Sequence, residues 1–427
     1  MLVVQLLLPR FLVVEVVFFI HFLQASQACS PSKINAKRDA KNSVKMTCQV
    51  PIGRNQIREE PLFYNIDGQY LLPNRQNNSN FITIEDKATI SCPSAKFSSL
   101  GNGKKDVMEI LCSKDNKFKT SPEETSLHEF TDLSCSKSII ESIQETVDKC
   151  GPQSGNGRIT YIGWRLRGFE FRPQITICHD RQIDHTYFAS HEIIGSKLTA
   201  RSTGQRRPRF QESGFFTDIS ANDAYKKANQ RVKILSKCHN CTYVNRGHLA
   251  PRTDFLYEEW QDATFNYINA VPQFADFNSR NWLDMEDAVR DLAEKLDARF
   301  QVQTGTFGIA KGENGQQLAL GSSNQMPVPL YLWKLVFDAK QNRAIVFVSV
   351  NHYVQFFKPG TSEIQQVLCP QDPNSFCEDS QWNFRHRKKI AKGILYCCTY
   401  QSFLQKVPWI KQYDTNPNVL INNDSHN

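Results

Sequence analysis

Five polar residues lie within 41 positions of this 427-residue chain: Arg246, His248, Asn269, Asn278 and Glu286. Arg246 and His248 flank Gly247 at the end of a short strand in YVNRGHLAPRTDF, where a loop can present both side chains. Histidine is the usual general base near neutral pH, because its unperturbed pKa lies close by. A neighbouring arginine can fork onto two phosphate oxygens and stabilise charge that develops in a transition state. Asn278 falls at the mouth of a helix, where Asn is also a favoured N-cap. Glu286 follows eight residues later, about two turns along the same helix, so the two can face one small volume. An amide oxygen is a neutral ligand that suits a hard ion such as Mg²⁺, which keeps most of its waters. Such an ion could hold a phosphate while His248 deprotonates water. Taken singly, each residue has a plainer reading: a loop histidine, a cap, a solvated helix face. Their clustering shifts the balance toward a site.

The elements around this cluster read as a mixture. Apolar runs at Ile159-TYIGW, Gln174-ITIC, Phe300-QVQTG, Leu330-YLWKLVF and Ala344-IVFVSV read as strands. Asp223-AYKKANQRVKIL and Asn281-WLDMEDAVRDLAEKL read as helices. In the second, Trp282, Met285, Val289, Leu292 and Leu296 share one helical face. Strands and helices that do not strictly alternate point to an α+β architecture.

The leader and the cysteines fix the compartment. Arg10 precedes an apolar run from Phe11 to Leu23 and the small residues Ala25, Ser26 and Ala28, the order of a secretory signal over residues 1–28. Sequons at Asn77, Asn240 and Asn423 agree with secretion. Thirteen cysteines are then readable as disulfides, with one left over. Residues 29–150 hold six of them among short strand-like runs, and read as a small β-rich, disulfide-stapled accessory module. The glycine-rich stretch 151–158 marks a boundary, residues 155–410 form the main domain, and the Asn-rich tail 411–427 reads as loose. Nothing after the leader is apolar for long enough to span a bilayer, so no stable membrane association is expected once it is cleaved.

The net charge of +8 is concentrated. Between Lys197 and Lys237 stand ten basic residues against three acidic ones. This stretch includes Arg206, Arg207 and Arg209 and leads into the site, which favours a phosphate-backbone partner. A second cluster, Arg385-HRKK with Lys392, leaves open whether it extends that track or coats a helix. Cys238-His239-Asn240-Cys241 has no second ligand pair for zinc and reads as disulfide partners for other cysteines.

The segments around His248 and Asn278 resemble the DNA/RNA non-specific endonucleases of the ββα-metal class. The family motif is Asp-Arg-Gly-His, then Asn-x-x-Pro-Gln, an Asn nine residues after the first and a Glu eight further on. This chain supplies Arg246-Gly247-His248, Asn269-AVPQ, Asn278 and Glu286 at those spacings. Thr304-Gly305 and Pro329-LYLWKLVF are similar to the family's later core strands. The likeness covers roughly residues 155–400, and the signal peptide and cysteine-rich front look most like the secreted insect branch. It implies a central antiparallel sheet flanked by helices, and His248 as general base. It also implies Asn278 as the direct ligand of Mg²⁺ (or Mn²⁺), with Glu286 holding metal-bound water. Arg246 would contact the phosphate, Asn269 would support the site or substrate, and Arg206, Arg207 and Arg209 are the substrate-binding candidates for the family's other phosphate-binding arginine. Asn245 stands where the family has Asp, which removes a carboxylate near the site. The implied activity is secreted, metal-dependent hydrolysis of DNA or RNA, double-stranded RNA included, with little sequence preference and 5′-phosphate ends. The alternative is a secreted salivary nucleic-acid binder with residual activity.

Overall fold

A computed structural model describes residues 45–422, except 54–56, 58, 167, 169, 205–206, 217–218, 238–241, 322–324, 352–366, 374, 411–412 and 414–415. The leader, Arg206, Cys29, the Cys238–Cys241 stretch and the sequons at Asn240 and Asn423 lie outside the described residues. The front module holds β1 (Thr47–Pro51), β2 (Leu62–Tyr64), β3 (Asn74–Gln76), β4 (Ser79–Glu85), β5 (Lys87–Ser91), β6 (Val107–Cys112) and β7 (Phe118–Lys119). These form two antiparallel sheets, β1-β4-β3 and β2-β5-β6-β7. Alternate residues such as Ile82 and Ile84 are buried, as a half-covered strand requires. Ile57, Phe63, Ile90, Phe97 and Phe118 are buried in the module, and disulfides Cys48–Cys112 and Cys92–Cys135 staple it. Removing a native disulfide from a small secreted module typically costs about 2–5 kcal/mol.

The main sheet is built from β8 (Ser142–Cys150), β9 (Gly157–Arg165), β10 (Phe171–Asp180) and β11 (His185–Ile194). A separate hairpin, β12 (Val244–His248) and β13 (Ala270–Phe274), follows. The sheet resumes with β14 (Arg299–Ile309), β15 (Pro329–Asp338), β16 (Arg343–Val350), β17 (Leu395–Cys398) and β18 (Asn418–Val419). Its order is β17-β16-β15-β14-β11-β10-β9-β8, with β18 added in parallel along β16. Both faces are covered, which is why the central strands read as continuous apolar runs. On β15 and β16, Leu332, Val336, Ile345 and Phe347 enter one core, and Trp333, Leu335, Phe337, Val346 and Val348 enter the other.

Two expectations need correction. The glycine-rich stretch after Cys150 is the turn of the β8–β9 hairpin, so the main sheet already begins at Ser142, inside the segment assigned to the front module. Cys150 pairs with Cys178 of β10, across the expected boundary. The tail is not loose as far as it is described. Leu420 is fully buried, its N–H donates to Ala344 O at 2.9 Å, and its carbonyl accepts from the Trp382 indole at 2.9 Å. An apolar pair, Val419 and Leu420, within the Asn-rich run carries that anchor.

Among the described residues the α-helices are α1 (Ala221–Ala224), α2 (Lys227–Lys233), α3 (Glu258–Ala263), α4 (Ala275–Asn278), α5 (Asn281–Lys295), α6 (Phe376–Asp379) and α7 (Tyr400–Leu404). The single helix expected from Asp223 is broken, because Lys226 adopts extended backbone between α1 and α2. Helix α5 buries Trp282, Met285, Val289 and Leu292 against the first core. Each such side chain contributes roughly 1.5–3 kcal/mol. The front module is braced on the main domain by Tyr70 against Trp260 (4.9 Å between rings) and by Lys197 Nζ donating to Asn74 Oδ1 at 2.7 Å.

Candidate active site

The β12–β13 hairpin sets the site. Its register pairs Arg246 with Pro272, Gly247 with Val271 and His248 with Ala270. Alternation along a strand sends Arg246 and His248 to one face and Asn245 to the other. Asn245 is exposed there, so the carboxylate missing at this position would not have shared the His248 face. Gly247 permits the close packing behind that face, since a Cβ would run into the Gln273 side chain.

Arg246 is held by aromatic groups. Its Nε donates to Tyr267 Oη at 2.8 Å, and its guanidinium carbon lies 5.0 Å from the Tyr225 ring, 5.4 Å from Tyr267 and 5.7 Å from Phe210. Phe210 also meets the His248 ring at 5.0 Å, and Phe265 closes on His248 edge-to-face at 5.0 Å. This surrounding pushes the imidazole pKa down to about 4: burial is the largest cause, and the positive charges of Arg207 and Arg252 add to it. His248 is therefore neutral at physiological pH. Its Nε2 is enclosed without a hydrogen-bond partner among the described residues.

Asn269 is fully buried and fully used. Its Oδ1 accepts from Ala250 N–H at 2.9 Å, and its Nδ2 donates to Ala250 O at 2.9 Å and Thr264 O at 3.0 Å. It ties the loop after His248 to the chain leading into β13. Asn278 is the last residue of α4 and half-buried, and the N-cap of α5 is Arg280. The helix-mouth reading is thus corrected: Asn278 does not cap α5 and shares no helix with Glu286.

Glu286 lies in the second turn of α5, one-tenth exposed, with Lys334 Nζ of β15 at 3.9 Å. Burial raises its pKa to about 7, with Lys334 opposing and Asp254 reinforcing the shift. Lys334 is itself buried and donates to Thr304 Oγ1 at 2.7 Å. Buried Asp254 accepts from Arg290 Nη1 at 2.7 Å through Oδ1 and meets His191 Nε2 at 2.7 Å through Oδ2. Burial alone would raise Asp254, but the His191 hydrogen bond and Arg290 hold it well below the usual carboxylate range. Sequence reasoning missed Lys334, Asp254, Arg290 and His191. Lys334 had a signal, a lone charge inside the apolar run Leu330–Phe337.

The basic stretch divides. Arg207 and Arg209 are exposed on the segment whose Gln211 pairs with the chain at Asn266, beside the His248 pocket, while Arg206 lies outside the described residues. Lys197 braces the front module, Lys226 pairs with Asp223 at 2.5 Å, and Lys227 sits over the Tyr243 ring at 4.9 Å. The charge that reaches His248 thus comes from Arg207 and from Arg252, which the sequence pattern did not single out.

A hairpin carrying Arg246 and His248, followed by a helix carrying Glu286, is the arrangement expected of ββα-metal nucleases. The family model for DNA/RNA non-specific endonucleases matches residues 155–403. The chain is 28% identical over 392 residues to a "Salivary endonuclease" of Lutzomyia longipalpis, covering 88% of this chain and 85% of that protein. It is 25% identical over 339 residues to a "Salivary endonuclease" of Culex quinquefasciatus, covering 77% and 85%. It is also 25% identical over 327 residues to "Salivary protein Tsal2A" of Glossina morsitans morsitans, covering 72% and 78%. The chain belongs to the DNA/RNA non-specific endonuclease family, a group of metal-dependent hydrolases.

Proposed function

We propose that this protein is an extracellular, Mg²⁺-dependent endonuclease that hydrolyses phosphodiester bonds of DNA, RNA or both with little sequence preference, leaving 5′-phosphate ends. The observation that carries this reading is the pairing, on one strand face, of a neutral His248 with an Arg246 locked among aromatic rings. The donor set also fits a hard divalent ion. Asn278 offers an amide oxygen from a half-buried position, and Glu286 a carboxyl whose neutral form burial favours until positive charge arrives. A His/Cys/Asp/Glu cluster that could hold a metal elsewhere among the described residues, Cys369, Asp372 and Cys398, is committed to the Cys369–Cys398 disulfide.

Each residue then has a task. His248 takes a proton from the attacking water; with Nε2 enclosed, Nδ1 is the nitrogen that meets it. Arg246, fixed at Nε by Tyr267, keeps its two terminal nitrogens for the phosphate oxygens. Asn269 holds the Ala250 backbone two residues beyond the base. Asn278 would hold Mg²⁺ directly and Glu286 a water on it. When bound, the ion supplies charge stabilisation to the phosphorus centre and to the leaving 3′ oxygen. Arg207 and Arg209 attract the backbone, and the described residues include no helix long and apolar enough to cross a membrane.

Digestion of matched single- and double-stranded DNA and RNA, with Mg²⁺ or with EDTA, tests the proposal. Cleavage that stops in EDTA and returns with Mg²⁺ is expected, and Asn278→Ala should raise the Mg²⁺ concentration required. Tight nucleic-acid binding without metal-dependent cleavage would instead make the protein a salivary-type binder with residual activity.

A further inference from the structure

The second basic cluster is placed by the fold beside Asn278. The Asn281 side chain, in the first turn of α5, donates to the carbonyls of His386 (2.8 Å) and Gly393. Gly393, at φ +81°, comes so near Phe277 of α4 that a Cβ there would lie 3.1 Å from the Phe277 side chain. The loop is also pinned from behind, because Arg387 is buried and ion-paired to Glu378. The segment 385–393 is therefore a fixed turn packed on the α4–α5 junction that carries Asn278.

Exposed Lys388 pairs with Glu378 at 3.7 Å, and three other charges on the turn are uncommitted. Arg385 and Lys389 are exposed and Lys392 half-buried, and among the described residues none of the three has a carboxylate partner. They stand close enough together to hold the imidazole of His386 below its ordinary pKa, after burial and in the order Lys392, Lys389, Arg385, with Asp284 opposing. Concentrated like charge costs stability through self-repulsion unless a counter-charge meets it. Arg207 and Arg209 form the corresponding cationic arm at the His248 pocket.

We infer that Arg385, Lys389 and Lys392 form a second phosphate-binding surface, so that the substrate is a nucleic-acid chain long enough to reach from the Arg207 arm past Asn278 to this turn. The inference rests on the nuclease reading for the direction of the chain, but its test does not need catalysis. Deleting one phosphate-neutralising cation should reduce the slope of log K against log salt by about 0.9 on a duplex and about 0.7 on a single strand.

The experiment is equilibrium binding of the full-length protein to a fluorescent DNA of about 20 base pairs in EDTA, across a chloride titration. It compares wild type with R385A/K389A/K392A and with the charge-conserving R385K/K389R/K392R. Expected results are at least tenfold weaker binding at low salt and a slope shallower by about two to three for the alanine variant, with near wild-type behaviour for the swap. An unchanged slope and affinity in the alanine variant, with an unchanged thermal midpoint, would overturn the inference. If the alanine variant melts early, each single alanine variant is measured, and three unchanged slopes overturn it equally. Failure of wild type to cleave in Mg²⁺ is scored separately and counts against the proposed function alone.

Discussion

Tyr267 Oη accepts from Arg246 Nε at 2.8 Å and donates to Asn222 Oδ1 at 2.8 Å. The hydroxyl thus links the arginine proposed to bind phosphate to α1, an element far from the motif in sequence. A hydrogen bond to a charged group is worth about 1.5–3 kcal/mol. Tyr267→Phe keeps the ring under the guanidinium and removes only this bond. We expect kcat/KM to fall by roughly 10- to 100-fold, with a thermal midpoint close to wild type, since 1.4 kcal/mol corresponds to tenfold. Steady-state kinetics on a long duplex checks this, and an unchanged kcat/KM would show that the rings alone position Arg246.

His248 must be neutral to accept a proton, and its pKa is pushed down to about 4. Cleavage should therefore rise with pH through an apparent pKa near 4, well below the ordinary histidine value. Arg207→Ala removes one of the charges that depress it, so the acid limb should move to higher pH. A pH–kcat/KM profile at saturating Mg²⁺ reads both. Glu286, raised to about 7 by burial, sets a limb of its own near neutrality, so the contradicting result is an acid limb that stays in place in Arg207→Ala.

Lys334 is a buried cation 3.9 Å from Glu286 and bonded to Thr304. Lys334→Met keeps most of the volume and removes the charge that favours ionised Glu286. Activity should drop at least tenfold at pH 7, with partial recovery at higher pH, where the carboxyl ionises without help. Chemical denaturation should show a loss as well, because the variant removes one partner of a buried pair and the donor to Thr304 Oγ1, so the pH dependence of activity is the readout that isolates the effect on Glu286. Equal loss of activity at all pH values would show that Lys334 acts by packing instead.

Two further buried histidines contribute to the loss of stability in acid. His179 and His185 are held neutral mainly by burial, with pKa values down to about 3 and about 4. Both folded values lie below the unfolded value of about 6.5, so the unfolded state takes up protons first as pH falls. Stability should be lost between about pH 6.5 and pH 4, by up to about 1.4 kcal/mol per pH unit for each histidine. Urea midpoints at pH 7, 6 and 5 measure this. His185→Asn should flatten the dependence, and an identical dependence in that variant would assign it to other groups.

Much of this was legible in the sequence, for reasons that differ by element. The strands of β9, β10, β14, β15 and β16 showed as apolar runs because the sheet is covered on both faces. The α5 face showed through its three-and-four spacing at Trp282, Met285, Val289 and Leu292, whereas Leu296, expected on that face, is the exposed C-cap. What did not show depends on contacts between distant segments. The hairpin at β8–β9 reads as a linker because its glycines serve a turn and a linker equally well. Asn278 reads as a cap because Asn favours that position, yet it closes a four-residue helix of its own before α5 begins. The tail reads as polar until Leu420 is seen in its slot. Asp254 lies 36 residues from Arg290 and 63 from His191, and no local pattern announces a buried ion network.

The role of His248 as the base of a metal-dependent hydrolysis is tested most directly by comparing wild type with His248→Ala. Both are followed under single-turnover conditions on one duplex at saturating Mg²⁺, with substrate binding recorded alongside. The expected rate is about 10²- to 10⁴-fold lower in the variant, the range for loss of a general base, with substrate affinity and Mg²⁺ requirement retained. A variant that cleaves as fast as wild type would contradict that role.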